Sequence, residues 1–140
     1  MIALAETLEK ERISHTIETS LNHKEKFGQY FTPYPIARFM SSLFPETDKK
    51  IKLLDPGAGI GTLSCSFMER ILKENWNTPE IHVSAYDIDK DVYNTLTENI
   101  ASTSSAFKKS DYEVISEDFL EKTSFEYIWK INETYTHVIM

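Results

Sequence analysis

Residues 53–62 read LLDPGAGIGT, and no other stretch constrains the fold as strongly. A short apolar run, IKLLD at 51–55, hands over to Gly57, Gly59 and Gly61, and then to helical spacing from Thr62 to about Trp76. Glycines lack Cβ, so they let the backbone turn sharply and approach a ligand closely. An apolar strand, a glycine turn and a helix form the opening of a strand–helix–strand unit. The chain then repeats that alternation, with IHVSAYD at 81–87, a helical stretch at about 89–102, YEVIS at 112–116 and THVIM as the last five residues. Strands separated by crossover helices require a parallel sheet. The expected fold class is therefore α/β, a three-layer Rossmann-like fold. It is partial, because THVIM is followed by no helix to cover the sheet.

Two segments precede this unit. Residues 3 to about 24 carry Leu4, Leu8, Ile13, Ile17 and Leu21 at spacings of four and five, which predicts an amphipathic helix with a drifting stripe. In KFGQYFTPYPIARFMSSLFP, Thr32 suits a helix cap and Pro33 the first turn. Ile36, Phe39, Met40, Leu43 and Phe44 would form the buried face, and Pro45 ends the helix. Residues 1–26 then form an N-terminal helical segment and 27–140 the sheet-bearing part, within the size of one ordinary domain.

The glycine loop also narrows the ligand. A dinucleotide fingerprint needs GxGxxG, whereas GAGIGT has Thr62 in the third glycine's place. A P-loop needs a lysine that this segment lacks. Asp55, immediately before the glycines, instead suits a ligand bearing positive charge, such as S-adenosylmethionine, which has an ammonium and a sulfonium but no phosphate. Asp87, at the carboxyl end of the second strand, can accept two ribose hydroxyls. Ile88 beside it can pack on adenine, while Asp89 suits the cap of the next helix. Asp118 and Phe119 offer an acceptor and an aromatic wall for the adenine. Tyr30 and Phe31 stand ahead of a helix N-terminus whose free N–H groups can meet a carboxylate.

The remaining composition excludes more than it assigns. No apolar run approaches the roughly 20 residues that cross a bilayer, and MIALAETLEKERISH lacks the basic start and apolar core of a signal peptide, so a cytoplasmic protein without a membrane partner is expected. The single cysteine, Cys65, has no zinc-type spacing and reads as a small buried residue. A net charge of −7 argues against a surface that grips phosphates unaided.

Taken in order, GQYFTP with its IARFM helix, LLDPGAGIGTLS, AYDID and EDFL resemble the adenine-specific (N6) DNA methyltransferases of bacterial restriction-modification systems. The resemblance covers residues 28–140 and implies S-adenosylmethionine as cofactor. It implies that Tyr30, Phe31 and Thr32 contact the methionine end beside Asp55, Pro56, Gly57 and Gly59. Asp87 and Ile88 would hold ribose and adenine, and Asp118 and Phe119 the far adenine edge. In that family a strand like YTHVIM leads into Asn-Pro-Pro-Tyr, the catalytic motif, and later into a target-recognition region; here the sequence stops at Met140. No catalytic residue is assigned within the chain. By itself it is expected to bind cofactor weakly, to transfer nothing, to meet DNA only through regions outside it, and to associate through an exposed sheet edge. Protein or RNA nitrogen methylation, or a noncatalytic methyltransferase-like subunit, are the alternative readings.

Overall fold

A computed structural model describes residues 2–18, 31–122 and 134–140. Helix α1 (Ile2–Glu18) leads the chain, followed by α2 (Tyr34–Ser42), β1 (Ile51–Asp55), α3 (Thr62–Lys73) and β2 (Ile81–Tyr86). A 3-10 turn (Lys90–Val92) runs into α4 (Tyr93–Ser104), and β3 (Ser110–Ile115), the short α5 (Phe119–Lys122) and β4 (His137–Val138) complete the order. The four described strands form one sheet in the order β3-β2-β1-β4, and every pairing is parallel. The α/β architecture read from the sequence is the one observed.

Burial explains why the strands are apolar. Leu53, Val83, Ile81 and Ile51 are fully buried and share one cluster with Phe67 and Met68 of α3 and Leu96 and Ile100 of α4. Each such side chain removed from water contributes about 1.5–3 kcal/mol before chain entropy is counted. Leu8 of α1 is buried in the same cluster, whereas Ile13 is 44% exposed. Leu54, Tyr86, Phe119 and Tyr135 form a second cluster. Cys65 is buried as expected, and burial pushes its thiol up to about 12. Among the described residues no helix is long and apolar enough to cross a membrane.

Several boundaries differ from the sequence reading. Helix α1 is described to Glu18, so the expected extension to residue 24 lies outside the described residues. Helix α3 stops at Lys73, where Asn75 turns left-handed at φ 53°, and Trp76 tucks back as a buried residue. The third strand begins at Ser110 rather than at residue 112. The fourth narrows to two ladder residues, although the amides of Thr136 and Ile139 still donate to the carbonyls of Lys52 and Leu54.

Helix α2 brings the largest correction. Thr32 does not cap it: Pro33 occupies the cap position without a side-chain bond, and its carbonyl accepts the amides of Ile36 and Ala37, both at 3.0 Å. Nor is the apolar row the buried face. Ile36, Phe39 and Leu43 are 51%, 63% and 67% exposed, while Tyr34, Ala37 and Ser41 are buried and Met40 and Phe44 are half-buried. The helix is rolled because α3 meets it with polar anchors. Arg70 donates to the carbonyls of Ser41 at 2.6 Å and Phe44 at 2.7 Å, and Tyr34 donates to Glu69. Small Ala37 and Ser41 let the two helices approach across that seam.

Candidate cofactor site

The carboxyl ends of β1 and β2 carry the loop 56–61 between them. Three hydrogen bonds fix its shape. The amide of Ala58 donates to the carbonyl of Tyr86 at 2.9 Å, tying the loop to β2. The amide of Gly59 donates to Asp87 Oδ2 at 2.7 Å, and the amide of Gly61 to the carbonyl of Ala58 at 2.7 Å. From the other side, Asn99 of α4 donates to the carbonyl of Ile60 at 2.9 Å and to Glu11 of α1 at 2.7 Å.

The three glycines have three different reasons. At Gly61 φ is +86°, and an added Cβ would lie 3.0 Å from Leu96, so this glycine lets α3 start close against α4. At Gly59 φ is +55°, and an added Cβ would lie 3.0 Å from the ring of Phe31. At Gly57 an added Cβ meets nothing within 4 Å. Neither backbone strain nor a protein neighbour demands glycine there; the exposed backbone faces open space that a side chain would enter. Pro56, half-buried, connects the strand end to this turn.

Two carboxylates flank the loop. Asp55 is completely buried. Ser64 Oγ, on the first turn of α3, donates to Asp55 Oδ2 at 2.6 Å, whereas Oδ1 is buried and closes no hydrogen bond of ordinary geometry. Burial pushes the Asp55 carboxyl up to about 7, against the pull of the Ser64 hydroxyl and the Gly57 amide. Asp87 is half-buried; its Oδ1 accepts the amide of Asp89 at 2.8 Å while Oδ2 holds Gly59. Desolvation raises its pKa as well. Each oxygen has one lone pair engaged and another in reserve. Ile88 beside it is 45% exposed, an apolar surface at the mouth of the site. Asp89 caps the 3-10 turn through the amide of Asp91, as the sequence suggested.

The structure thus gathers Phe31, Asp55, Pro56, Gly57, Gly59, Asp87 and Ile88 around one loop. Thr32 follows Phe31 and is half-buried; Tyr30 lies outside the described residues. Asp118 and Phe119 stand one strand further on. Asp118 Oδ1 accepts the amides of Leu120 and Glu121, capping α5, and Phe119 packs edge-on against Tyr86 with ring centres 5.1 Å apart. Sequence reasoning missed Ser64, Asn99 and Glu69. Their signal was polar side chains at core positions of amphipathic helices, which periodicity alone treats as noise.

A family model for N-6 DNA methylases matches residues 15–140. The chain belongs to the N-6 DNA methylase family. S-adenosylmethionine is the cofactor that membership implies. The type II methyltransferase M.BsuBI of Bacillus subtilis is 32% identical over 148 residues, a match covering all of this chain and 28% of that protein. The type II methyltransferase M.AccI of Acinetobacter calcoaceticus is 29% identical over 79 residues, covering 56% of the chain and 13% of the relative. The chain therefore spans well under a third of the curated methyltransferases it matches. In three dimensions it resembles a Listeria monocytogenes protein assigned to the class I S-adenosylmethionine-dependent methyltransferases. That match has TM-score 0.54 at 16% identity and covers 82% of this chain and 33% of the other, a likeness of fold.

Proposed function

We propose that this N-6 DNA methylase chain forms the cofactor half of an adenine-N6 DNA methyltransferase of a restriction-modification system. The observation that carries the reading is the loop 56–61. It is pinned by Asp87 on one side and underlain on the other by Asp55, whose Oδ1 is buried and closes no hydrogen bond of ordinary geometry. A carboxylate buried beneath the loop is costly, and a positively charged ligand group seated on the loop would offset that cost through space. The open space at Gly57 leaves room for that ligand against bare backbone. The residues therefore fit the cofactor.

In this reading Asp55, anchored by Ser64, acts on the ammonium of the methionine end from beneath the loop, with Phe31 and Thr32 beside the loop and Pro56 and Gly57 along it. Asp87, steadied by two amides, uses its remaining lone pairs on the ribose hydroxyls. Ile88 covers one adenine face, and Asp118 and Phe119 serve the far edge. When bound, S-adenosylmethionine supplies an activated methyl group; the chain's residues orient it and exclude water. The acceptor is an adenine amine in DNA, engaged by parts of the enzyme beyond this pocket. That reaction would run in the cytoplasm, with the outer side of β4, the edge strand among the described residues, as the surface on which those parts assemble.

Deleting the gene from its host tests the activity. N6-methyladenine at a fixed sequence should vanish from genomic DNA, as read by sequencing that detects the modified base in place. An unchanged methyladenine pattern would overturn the proposal.

A further inference from the structure

Helix α2 is joined to α3 by a contact that adhesion alone does not require. The Tyr34 hydroxyl donates to Glu69 Oε2, and Lys73 Nζ lies 3.6 Å from the same oxygen. Glu69 is only 2% exposed, and its other oxygen is buried without a partner. Burying a carboxylate in a helix seam costs desolvation that an apolar pair of similar volume avoids. What a directional bond adds is register.

The register matters because of what lies at either end. Tyr34 is three residues after Phe31, across Pro33. Pro33 sits at φ −60° and ψ 141°, its ring fixing the first of these angles. Phe31 in turn rests on Gly59, where an added Cβ would come within 3.0 Å of its ring. Glu69 lies seven residues along α3 from Thr62, at the end of the glycine loop, so both stand on nearly one helix face. At its other end α2 is fastened separately by Arg70. The N-terminal end of α2 is also held to α1, where the Tyr34 backbone amide donates to Glu9 and the ring of Phe31 lies 5.9 Å from that of His15. Losing the Tyr34–Glu69 bond would remove the side-chain tie that fixes this end against α3.

We propose that the Tyr34–Glu69 hydrogen bond is a positioning contact that holds Phe31 and Thr32 against the methionine-binding side of the glycine loop. The inference rests on the cofactor reading above, with both residues acting through Phe31 rather than touching the ligand.

The test compares two ligands by calorimetry on the whole chain: S-adenosylmethionine, and 5′-methylthioadenosine, which lacks the aminocarboxypropyl arm. Tyr34→Phe and Glu69→Ala should each weaken S-adenosylmethionine binding about tenfold and change methylthioadenosine binding less than twofold. Glu69→Gln, which still accepts from the hydroxyl, should bind close to wild type. The double variant should be no worse than either single one, since both remove the same bond. Circular dichroism confirms folding at the assay temperature, and the isosteric Tyr34→Phe carries the test should Glu69→Ala unfold. Equal loss for both ligands would mean that the bond only supports the fold, and no loss for either would mean that it positions nothing. Each result overturns the proposal. A folded wild-type chain that binds neither ligand would overturn the cofactor reading and this inference with it.

Discussion

Asp55 carries a carboxyl that burial raises from its ordinary 3.8 to about 7, and replacing it with asparagine gives a prediction with a definite sign. Above pH 3.8 the unfolded chain has released this proton while the folded chain retains it until about pH 7. Stability contributed at this position therefore falls as pH rises through that window, at about 1.4 kcal/mol per pH unit. Asparagine keeps an acceptor for the Ser64 hydroxyl and does not ionise, so it escapes the loss. Its amide sits where Oδ1 now closes no hydrogen bond of ordinary geometry, a pH-independent cost of about 1–3 kcal/mol. That cost cancels when the two proteins are compared at two pH values. Between pH 5 and pH 8 the stability of Asp55→Asn relative to wild type should improve by roughly 3 kcal/mol. His137, whose pKa burial lowers, and Asp87, whose pKa burial raises, titrate in both proteins and largely drop out. Urea titrations followed by far-UV circular dichroism at both pH values measure the difference. Parallel pH dependence in the two proteins would show that Asp55 ionises normally, and would refute the picture of a sealed, underpaired carboxylate.

Two glycine substitutions separate folding from binding. Gly61→Ala puts a Cβ on a residue at φ +86° and 3.0 Å from Leu96, and should cost roughly 2 kcal/mol in denaturation experiments. Gly57→Ala meets no neighbour and has no positive φ; it should leave stability within about 0.5 kcal/mol yet weaken S-adenosylmethionine about tenfold, as measured by calorimetry. Full binding by Gly57→Ala would show that the space in front of the loop is not the ligand's.

Particular residues show where the sequence was informative. The alternation of strands and helices, the glycine turn and Asp89 as a cap could be read directly, because each follows from local chemistry: apolar runs, missing Cβ atoms, a short acidic side chain before a turn. Asp87 was placed correctly beside the loop, but its hold on the Gly59 amide was not foreseeable, since a bond between residues 28 apart exists only once β1 and β2 are paired. Helix α2 misled for a related reason. Its apolar row of Ile36, Phe39 and Leu43 has good helical spacing, yet the helix turns Tyr34, Ala37 and Ser41 inward. Which of two rows faces the core was decided by Glu69 and Arg70 on another helix, and periodicity within one segment contains no information about them. The position of Asp55 at the strand end before the glycines was legible, but not its complete burial, because its seal comes from the fold around it.

Calorimetric titration of S-adenosylmethionine into the wild-type chain and into Asp87→Ala tests the central claim most directly. The account predicts saturable one-site binding to wild type and a loss of at least tenfold in the variant, since Asp87 both shapes the loop through Gly59 and accepts from the ribose. Undiminished binding by a folded Asp87→Ala chain, or none by a folded wild-type chain, would contradict it.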